Sequence, residues 1–523
     1  MNYENYDPSF PDQPVVDLYL PLWANLPSFR SKPAFIWAED GSNGATKNST
    51  ITYAQLNESV HSISTQLLTQ LQRGDTVVIL RSPGLELVEI IFGCQRAGLL
   101  CIPVFPPDPS FTKENYHHLV RVLSQTKPKA AITHHDYIAR VQRYISLSSD
   151  NHKLAEMLQK LTWISTSDIK DKKVSSNMGS LPYKSCRPNE LYLIQYTSGA
   201  TGIPKPVLVT AGAAAHNVRV ARKAYDLYPS SVIVSWLPQY HDCGLQFLLL
   251  TIISGATIPS FSLPFVIKRG GVDKGTQPIS LWSLKNLIII NEPIYKASHG
   301  EATAAMLLAF HTTSSCHVQG LLCPREEEED MDIIVVDEET CELVVDGTEG
   351  EIWVSSPSNC SGYLGYPSLT REIFQARLRN KVSRCFVRTG DRGIVKGEVA
   401  LLHLRCQALY IVLVAEIQRH EKDVKVLKQI CEWAKKAVLK EEKVEIGLMV
   451  LVESGSVPKT TSGKIQRWAA KDILIRGKMS VVMEMQFEDN NARFLPSYEA
   501  IGKANKEIRC QGGNRTSTVA GDI

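Results

Sequence analysis

Residues 196–205 read YTSGATGIPK, a run of small and hydroxyl-bearing residues that ends in proline and lysine. The apolar segment LYLIQY leads into this run, and the helix-like segment AAAHNVRV follows several residues later. Two glycines permit positive φ angles, so that backbone N–H groups can converge on an anion. Three hydroxyls and Lys205 add donors and a charge. The pattern indicates a polyphosphate-binding loop between a strand and a helix, although such a loop taken alone is also typical of a surface turn.

The loop differs from a Walker A motif. That motif, G-x-x-x-x-G-K-[ST], needs Ser or Thr directly after its lysine, whereas Pro206 follows Lys205 here. Phosphate binding at this place therefore requires another kind of loop.

Strand-like and helix-like segments alternate on both sides of the loop. DTVVIL, LLCIPVF and KAAIT predict strands, with LELVEIIFGCQRAG and HHLVRVLSQTK as the helices between them. ELYLIQY, AAAHNVRVARKAYDL and SVIVSWLP predict a second strand–helix–strand cycle, and NLIIIN at 286–291 predicts a further strand. This alternation predicts an α/β fold with a parallel sheet.

The C-terminal part of the chain has a different pattern. MDIIVVD, CELVV and EIWVS predict an antiparallel β unit, and the segments YIVLVAEI, KVLKQICEWAKKAVL and IGLMVLVE predict a small α+β domain. We expect a large domain over residues 1–397, interrupted around 268–281 and 311–330. A small domain over 398–480 and a polar tail over 481–523 complete the predicted organisation.

Composition narrows the class of protein. The 523 residues are 44% hydrophobic, and 57 basic against 54 acidic residues give a formal charge of only +3, so neither nucleic acid nor an anionic membrane is an expected partner. The 12 cysteines include no C-x-x-C pair, and MNYENYDPSF has no signal-peptide pattern, which favours a reduced, cytoplasmic protein. FLLLTIISGATI at 247–258 is shorter than the roughly 18–20 residues of a spanning helix, and the C-terminal GDI is not a peroxisomal tripeptide.

Four further segments carry a family resemblance together with the loop. WLPQYHDCGL at 236–245, IINEPI at 289–294, the set GEIWV, SGYLGY and RTGDRG that ends at 393, and VPKTTSGKIQR at 457–467 follow in that order. The five segments resemble the core motifs of the adenylate-forming superfamily, which includes acyl-CoA synthetases, luciferases and peptide-synthetase adenylation domains. The P-x-Y-H-D form of the second motif, together with CIPVFPPDP at 101–109, is similar to fatty acyl-AMP ligases in particular.

The resemblance implies a fold and a reaction. The fold is a large N-terminal adenylate-forming domain with mixed sheets and helices, followed by a small C-terminal α+β domain. The reaction is attack of a fatty acid carboxylate on the α-phosphorus of ATP with Mg²⁺ as a cofactor, which gives an acyl-adenylate and pyrophosphate. An acyl carrier protein or CoA is the implied acceptor. No protein nucleophile is needed, so the resemblance implies catalysis by positioning and by cations.

The resemblance also implies roles for particular residues. Asp391 accepts hydrogen bonds from the ribose hydroxyls, Lys464 swings onto the carboxylate and the α-phosphate, and His241 lies beside the acyl carboxylate. An ordinary turn aspartate, a solvated lysine and a hydrogen-bonded core histidine are the alternative interpretations. No metal ligand is assigned. The residues expected to hold the nucleotide are Thr197, Ser198, Gly199, Ala200, Thr201, Gly202 and Lys205 around the phosphates, and Asn291, Glu292 and Pro293 at the adenine pocket.

The chain departs from the family pattern in four places, which keeps other functions open. Pro206 stands where the family has glycine, and the Gly-Tyr-Gly segment whose glutamate binds magnesium is missing. The stretch GGVDKGTQPIS is short for the walls of an acyl tunnel, and the hinge after residue 397 is replaced. Missing blocks between intact motifs favour a shortened isoform or an incomplete gene model. One alternative is a catalytically impaired binding or assembly module, and another is a fatty acid–CoA ligase.

Overall fold

The computed structural model describes thirteen stretches of the chain, and the chain divides into two compact units. The larger unit comprises Met1–Tyr196 and Pro206–Leu404, and the smaller comprises Thr197–Lys205 and Arg405–Ile523. The predicted strand NLIIIN and both predicted interruptions lie outside the described residues, and the predicted domain bounds stay predictions. The described residues are 14–40, 46–111, 116–147, 153–171, 186–197, 203–261, 331–379, 381–396, 399–402, 411–417, 423–442, 446–459 and 467–487.

The described part of the larger unit contains strands and helices in alternation. Its strands are β1 (Pro33–Asp40), β2 (Thr46–Thr52), β3 (Thr76–Leu80), β4 (Leu100–Val104), β5 (Ala130–Thr133), β6 (Thr162–Ser165), β7 (Leu191–Tyr196), β8 (Pro206–Thr210), β9 (Ile258–Phe261), β10 (Asp332–Val336), β11 (Glu349–Ser355), β12 (Gly362–Tyr363), β13 (Ala376–Leu378), β14 (Lys381–Lys396) and β15 (Val399–Leu402). Its helices are α1 (Val15–Asn25), α2 (Tyr53–Leu67), α3 (Leu85–Arg96), α4 (His117–Thr126), α5 (His135–Leu147), α6 (Lys153–Gln159), α7 (Thr166–Asp171), α8 (Ala211–Ala224), α9 (Asp242–Ser254) and α10 (Pro367–Phe374).

A seven-stranded sheet in the order β12-β8-β7-β4-β3-β5-β6 forms the centre of the larger unit. The pairs from β7 to β6 are parallel, whereas β8 pairs antiparallel with both β7 and β12. Within β3, Val77 and Ile79 belong to the core that contains α3, and Val78 and Leu80 belong to the core that contains α4. Helices therefore cover both faces, which explains why β3, β4 and β5 in the middle of the sheet are almost entirely apolar.

Two predicted elements differ from the structure. The segment SVIVSWLP makes only two isolated bridges, Val232 to Thr257 and Ser235 to Ser260, so the predicted strand is wrong. CELVV likewise contributes a single bridge from Leu343 to Val336. Each segment has the alternation of a half-buried strand, but its bridges to the neighbouring chain are isolated and do not form a continuous ladder. Alternation of apolar and polar residues indicates which face of a segment is buried. It does not indicate whether the segment forms continuous backbone pairing with another strand.

A smaller sheet with the order β2-β1-β9 and a five-stranded sheet complete the described β structure of this unit. The five-stranded sheet has the order β10-β11-β14-β13, with β15 also paired to β14, and all its pairs are antiparallel. The predicted antiparallel β unit is therefore confirmed at MDIIVVD and EIWVS. None of the helices in the described ranges is long and apolar enough to cross a membrane.

The smaller unit is an α+β structure, as predicted. Its described elements are β16 (Ile411–Ile417), α11 (Val424–Glu442), β17 (Ile446–Glu453), α12 (Arg467–Ile475) and β18 (Val481–Gln486). The sheet has the order β16-β17-β18, and β17 is its central strand. Leu427 and Cys431 of α11 pack in one core with Met449 and Leu451, and Leu474 of α12 packs in another core on β17. The predicted α/β fold with a large N-terminal and a small C-terminal α+β part is confirmed.

Candidate active site

The candidate site in the larger unit lies at the carboxyl ends of β3, β4 and β7. Helix α3 follows β3 and helix α4 follows β4, and the two helices pack on opposite faces of the sheet. Neighbouring strands whose connections leave to opposite faces open a crevice at their carboxyl ends, and this is where open α/β sheets bind ligands.

Three strand ends hold the segment that precedes His241. Beyond β3, the Gly84 N–H donates to the side-chain oxygen of Gln239 over 2.7 Å, and Gln239 is 3% exposed. Beyond β4, the rings of Phe105 and Tyr240 lie 5.5 Å apart between centroids. From β7, the side-chain amide of Gln195 donates to the carbonyl of Tyr240 over 2.8 Å. The motif WLPQYHD is thus fixed across the edge of the sheet.

His241 is the residue directly before α9, with an extended backbone at φ −98° and ψ 156°. Its Nδ1 contacts the carboxylate of Asp242, and its side chain is 20% exposed. Burial by itself raises the pKa of Asp242, but the His241 ring and the Cys243 N–H lower it by more. The pKa of Asp242 therefore lies below its ordinary value. The Asp242 anion therefore holds the Nδ1 side of the ring, and Nε2 is the nitrogen left for a ligand.

The predicted phosphate loop connects two paired strands rather than a strand and a helix. Tyr196 pairs with Pro206 at the start of β8, and α8 begins only after β8 ends. The Thr197 N–H donates to the Lys205 carbonyl over 3.0 Å, and the Lys205 N–H donates to Thr197 Oγ1 over 3.0 Å. Residues 198–204 between these bonded ends exceed the roughly two to five residues of ordinary hairpin loops. The chain there is long enough to surround a ligand.

Pro206 fits this hairpin without breaking the ladder. Hydrogen-bonded and non-bonded pairs alternate along antiparallel strands, and Thr197 and Lys205 form a bonded pair. The next pair, Tyr196 and Pro206, is therefore a non-bonded one, so the missing proline N–H costs β7 no hydrogen bond. On its other side the Pro206 carbonyl accepts from the Leu364 N–H over 2.9 Å. This contact places the SGYLGY segment beside β8.

A polar network surrounds the end of β7. The Tyr196 hydroxyl donates to Gln125 Oε1 over 3.0 Å, and Gln125 Nε2 donates to the Tyr366 hydroxyl over 2.9 Å. The ring of His118 stands edge-on to Tyr196 with 5.2 Å between centroids. Burial raises the pKa of Tyr196, and burial with the Arg121 charge lowers the pKa of His118 to about 4. Tyr196 and His118 are therefore neutral at pH 7. The hydrogen bonds of Gln125 join α4 to the start of α10.

Asp391 lies within β14 and not at the end of a strand. On β11 the residues on either side of Ile352 pair with Arg388 and Arg392 of β14, and Ile352 alone faces residues 389–391. This irregular pairing is a β-bulge, a feature that re-aims side chains and is common next to active sites. Asp391 is one of its residues.

Most of the other predicted site residues fall outside the part of the chain that the structure describes. Ser198, Gly199, Ala200, Thr201, Gly202, Asn291, Glu292, Pro293 and Lys464 lie outside the described residues, as does the side chain of Asp391. Sequence reasoning did not single out Gln239, Gln125 or Glu351. Gln239 and Glu351 lie within the motifs WLPQYHD and GEIWV, and these motifs could have identified them. No sequence pattern points to Gln125.

Metal-ligating groups are sparse in the described ranges. His134, His135 and Asp136 lie within reach of one ion at the carboxyl end of β5. Asp136 contacts both rings, at 3.2 Å to His134 Nδ1 and 3.0 Å to His135 Nε2, and the last two residues are exposed. Imidazole suits Mg²⁺ poorly, since that ion prefers oxygen ligands. This cluster is therefore a group of surface side chains in mutual contact and not a site for the expected Mg²⁺.

Comparison with known families gives a match over part of the chain. Residues 22–263 match the model of the family described as AMP-binding enzyme. This region is therefore similar to AMP-binding enzymes. It includes β3, β4, β7 and β8, the hairpin mouth at Thr197 and Lys205, and His241.

Two curated proteins are similar to this chain over most of its length. Medium-chain-fatty-acid acyl-carrier-protein ligase JamA of Moorena producens is 23% identical over 84% of this chain and 92% of its own length. Long-chain-fatty-acid AMP ligase FadD26 of Mycobacterium tuberculosis is 22% identical over 87% of this chain and 97% of its own length. The two alignments extend over 554 and 579 residues, more than the 523 of this chain, so both relatives have residues that this chain lacks.

A solved structure has a similar fold over most of this chain. It is fatty acyl-adenylate ligase from L. pneumophila in complex with acyl adenylate and pyrophosphate. The similarity has a TM-score of 0.59 at 18% identity, and it covers 92% of this chain and 99% of that chain. At this identity the likeness shows the fold.

Proposed function

We propose that this chain activates a fatty acid by converting it with ATP to a fatty acyl-adenylate and pyrophosphate. The observation that carries the proposal is a region similar to AMP-binding enzymes, in which three strand ends at the carboxyl edge of the sheet fix His241. The two relatives described above act on fatty acids, and the similar solved structure holds an acyl adenylate and pyrophosphate. Both observations support the same chemistry.

The reaction places clear demands on the residues. A carboxylate oxygen of the acid forms a bond to the α-phosphorus, and the bond from that phosphorus to the oxygen bridging to the β-phosphate breaks. Pyrophosphate leaves with the electron pair. The protein needs to align the two anions and to compensate their charge. It needs no nucleophile of its own.

The residues present fit an ATP phosphate chain at the β7–β8 hairpin. The hydroxyl of Thr197 accepts from the Lys205 N–H, and its proton remains able to donate to a phosphate oxygen. We assign further donors to the segment between them, namely its backbone N–H groups and the hydroxyls of Ser198 and Thr201. We assign the β- and γ-phosphates to this loop and the ribose hydroxyls to Asp391. Mg²⁺ would add positive charge at the phosphates, and no ligand for it is assigned.

We assign His241 and Lys464 to the carboxylate of the fatty acid. Nε2 of His241 meets the acyl carboxylate, because its Nδ1 is already held by Asp242. Lys464 brings an ammonium to the carboxylate and the α-phosphate. The acceptor after adenylation is an acyl carrier protein in this proposal, by analogy with JamA, and CoA is the alternative acceptor. The cytoplasmic location stays a prediction.

Pyrophosphate release from ATP with medium- and long-chain fatty acids tests the proposal. We expect release by the wild-type chain and its loss in Lys464→Ala. Lys459→Ala is a matched control from the same loop, since Lys459 pairs with Glu416 over 3.0 Å and is half-exposed. Such exposed pairs contribute little to stability, so this variant should retain activity. Equal silence of wild type and Lys464→Ala would overturn the catalytic assignment.

The same samples distinguish the alternatives. An increase of melting temperature with ATP, without pyrophosphate release, would favour a catalytically impaired binding module. Acyl-CoA formation on addition of CoA would favour a fatty acid–CoA ligase. Transfer of the acyl group to a phosphopantetheine-bearing carrier protein, and none to CoA, is the outcome we expect.

A further inference from the structure

Glu351 of β11 is a buried carboxylate, only 4% exposed. Most of its partners lie in or directly before the bulge that carries Asp391. Oε2 accepts from Arg388 Nε over 2.8 Å and from Arg388 Nη2 over 2.7 Å, and also from the Trp353 indole N–H over 3.0 Å. Oε1 accepts from the Gly390 N–H over 3.1 Å. A buried carboxylate is stable only when donors of this kind satisfy it. Glu351 therefore binds both Arg388, directly before the bulge, and Gly390, the middle residue of the bulge.

The bulge is fixed at three consecutive residues before Asp391. Arg388 and Gly390 are bound to Glu351, and the hydroxyl of Thr389 between them donates to the Ile352 carbonyl over 2.7 Å. Gly390 has φ +74°, in the left-handed region that favours glycine. The backbone conformation that leads into Asp391 is thus specified by contacts to β11 and leaves little freedom.

We propose that Glu351 is a positioning residue for the nucleotide, acting through Asp391. Its carboxylate fixes the backbone that leads into Asp391, the residue to which we assign the ribose hydroxyls, while Glu351 itself touches no nucleotide atom. The inference rests on the proposed function, and it adds a role for a buried residue on a neighbouring strand. A hydrogen bond to a charged acceptor depends steeply on distance and angle, so a loosened bulge weakens the grip on the ribose.

The discriminating measurement is the preference for ATP over 2′,3′-dideoxy-ATP, taken by calorimetric titration of the full chain. Two hydrogen bonds to a carboxylate give the wild type an expected preference of about tenfold or more. Asp391→Ala should remove that preference. Glu351→Ala should reduce it to within about twofold of the Asp391→Ala value, and the double variant should lose nothing further. A residue that only stabilised the fold would leave the ratio of the two affinities unchanged.

A control variant and two milder variants make the test decisive. Asp332→Asn removes an ion pair of 2.7 Å to Arg384 on the same sheet, away from the bulge, and should keep the wild-type preference. If Glu351→Ala does not fold, Glu351→Gln and Thr389→Val carry the test, because each removes only part of the restraint. Both should lower the preference at least threefold.

Two results would overturn the inference, and they are distinguishable. If folded Glu351 variants keep the wild-type preference while Asp391→Ala loses it, the positioning role is wrong and the proposed function stands. If the wild type itself shows no preference, the ribose role of Asp391 fails together with the inference, and pyrophosphate release judges the proposed function separately.

Discussion

The side-chain amide of Gln195 donates a hydrogen bond of 2.8 Å to the backbone carbonyl of Tyr240, 45 residues further along the chain. It joins the carboxyl end of β7 to the residue directly before His241. The other side-chain atom, Gln195 Oε1, is buried and accepts no hydrogen bond within the described part of the chain. At this position the Gln195 side chain therefore acts as a hydrogen-bond donor, and the position of His241 depends on the bond that it donates.

Gln195→Leu should lower the turnover number for pyrophosphate release about tenfold or more, because small displacements of a positioning group have large kinetic costs. The lost bond should also reduce stability by about 1–2 kcal/mol, since the Tyr240 carbonyl loses this donor. Steady-state kinetics and thermal melting measure the two effects. In the double variant with His241→Ala the kinetic losses should not multiply. Full multiplication would mean that Gln195 acts independently of His241.

Sequence periodicity predicts the centre of the fold well, because β3, β4 and β5 are buried on both faces and are apolar apart from one threonine each in β3 and β5. It does not predict β8, since PVLVT begins with proline, and its status as a strand depends on pairing with β7 and β12. The role of Glu351 has the same origin. Its partner Arg388 is 37 residues away, and only the register of β11 on β14 brings the two together.

The two threonines at the ends of the β8 region allow phosphate binding to be separated from stability. Thr197 accepts from the Lys205 N–H at the mouth of the loop, and Thr210 caps α8 by accepting from the Ala213 N–H over 3.2 Å. Thr197→Val and Thr210→Val should each cost about 1 kcal/mol. Only Thr197→Val should raise the KM for ATP, by several-fold. An equal rise in both variants would show that the effect on ATP is a consequence of lost stability.

His118 should make the larger unit less stable in acid. Its folded pKa of about 4 lies below the ordinary 6.5, so the unfolded chain binds the proton first as the pH falls. The stability that this histidine contributes is present above pH 6.5 and is lost between pH 6.5 and pH 4, by at most about 3 kcal/mol. His118→Gln should therefore show a smaller fall in melting temperature between pH 7 and pH 4.5. The neighbouring His117 is exposed, and His117→Gln should behave as the wild type.

Gly244 in the first turn of α9 is packed against the backbone that precedes His241. A Cβ atom on it would lie 2.0 Å from the Pro238 carbonyl oxygen and 3.1 Å from the Gln239 N. Gly244→Ala must therefore push this segment away from the helix, and the hydrogen bond between Gln239 and Gly84 moves with it. We expect a stability loss of about 1–3 kcal/mol from overpacking, reduced by the better helix propensity of alanine.

The kinetic effect of Gly244→Ala should exceed what this stability loss explains. Gly347 offers the comparison, because it has φ +81° with open space around its Cα, and Gly347→Ala costs about 1–2 kcal/mol of backbone strain. The two variants should melt at similar temperatures, several degrees below the wild type. At a temperature where both are folded, Gly347→Ala should release pyrophosphate at the wild-type rate, and Gly244→Ala should be at least tenfold slower, since only its substitution displaces His241. Equal rates in the two variants would show that the packing of Gly244 against Pro238 serves the fold and does not place His241.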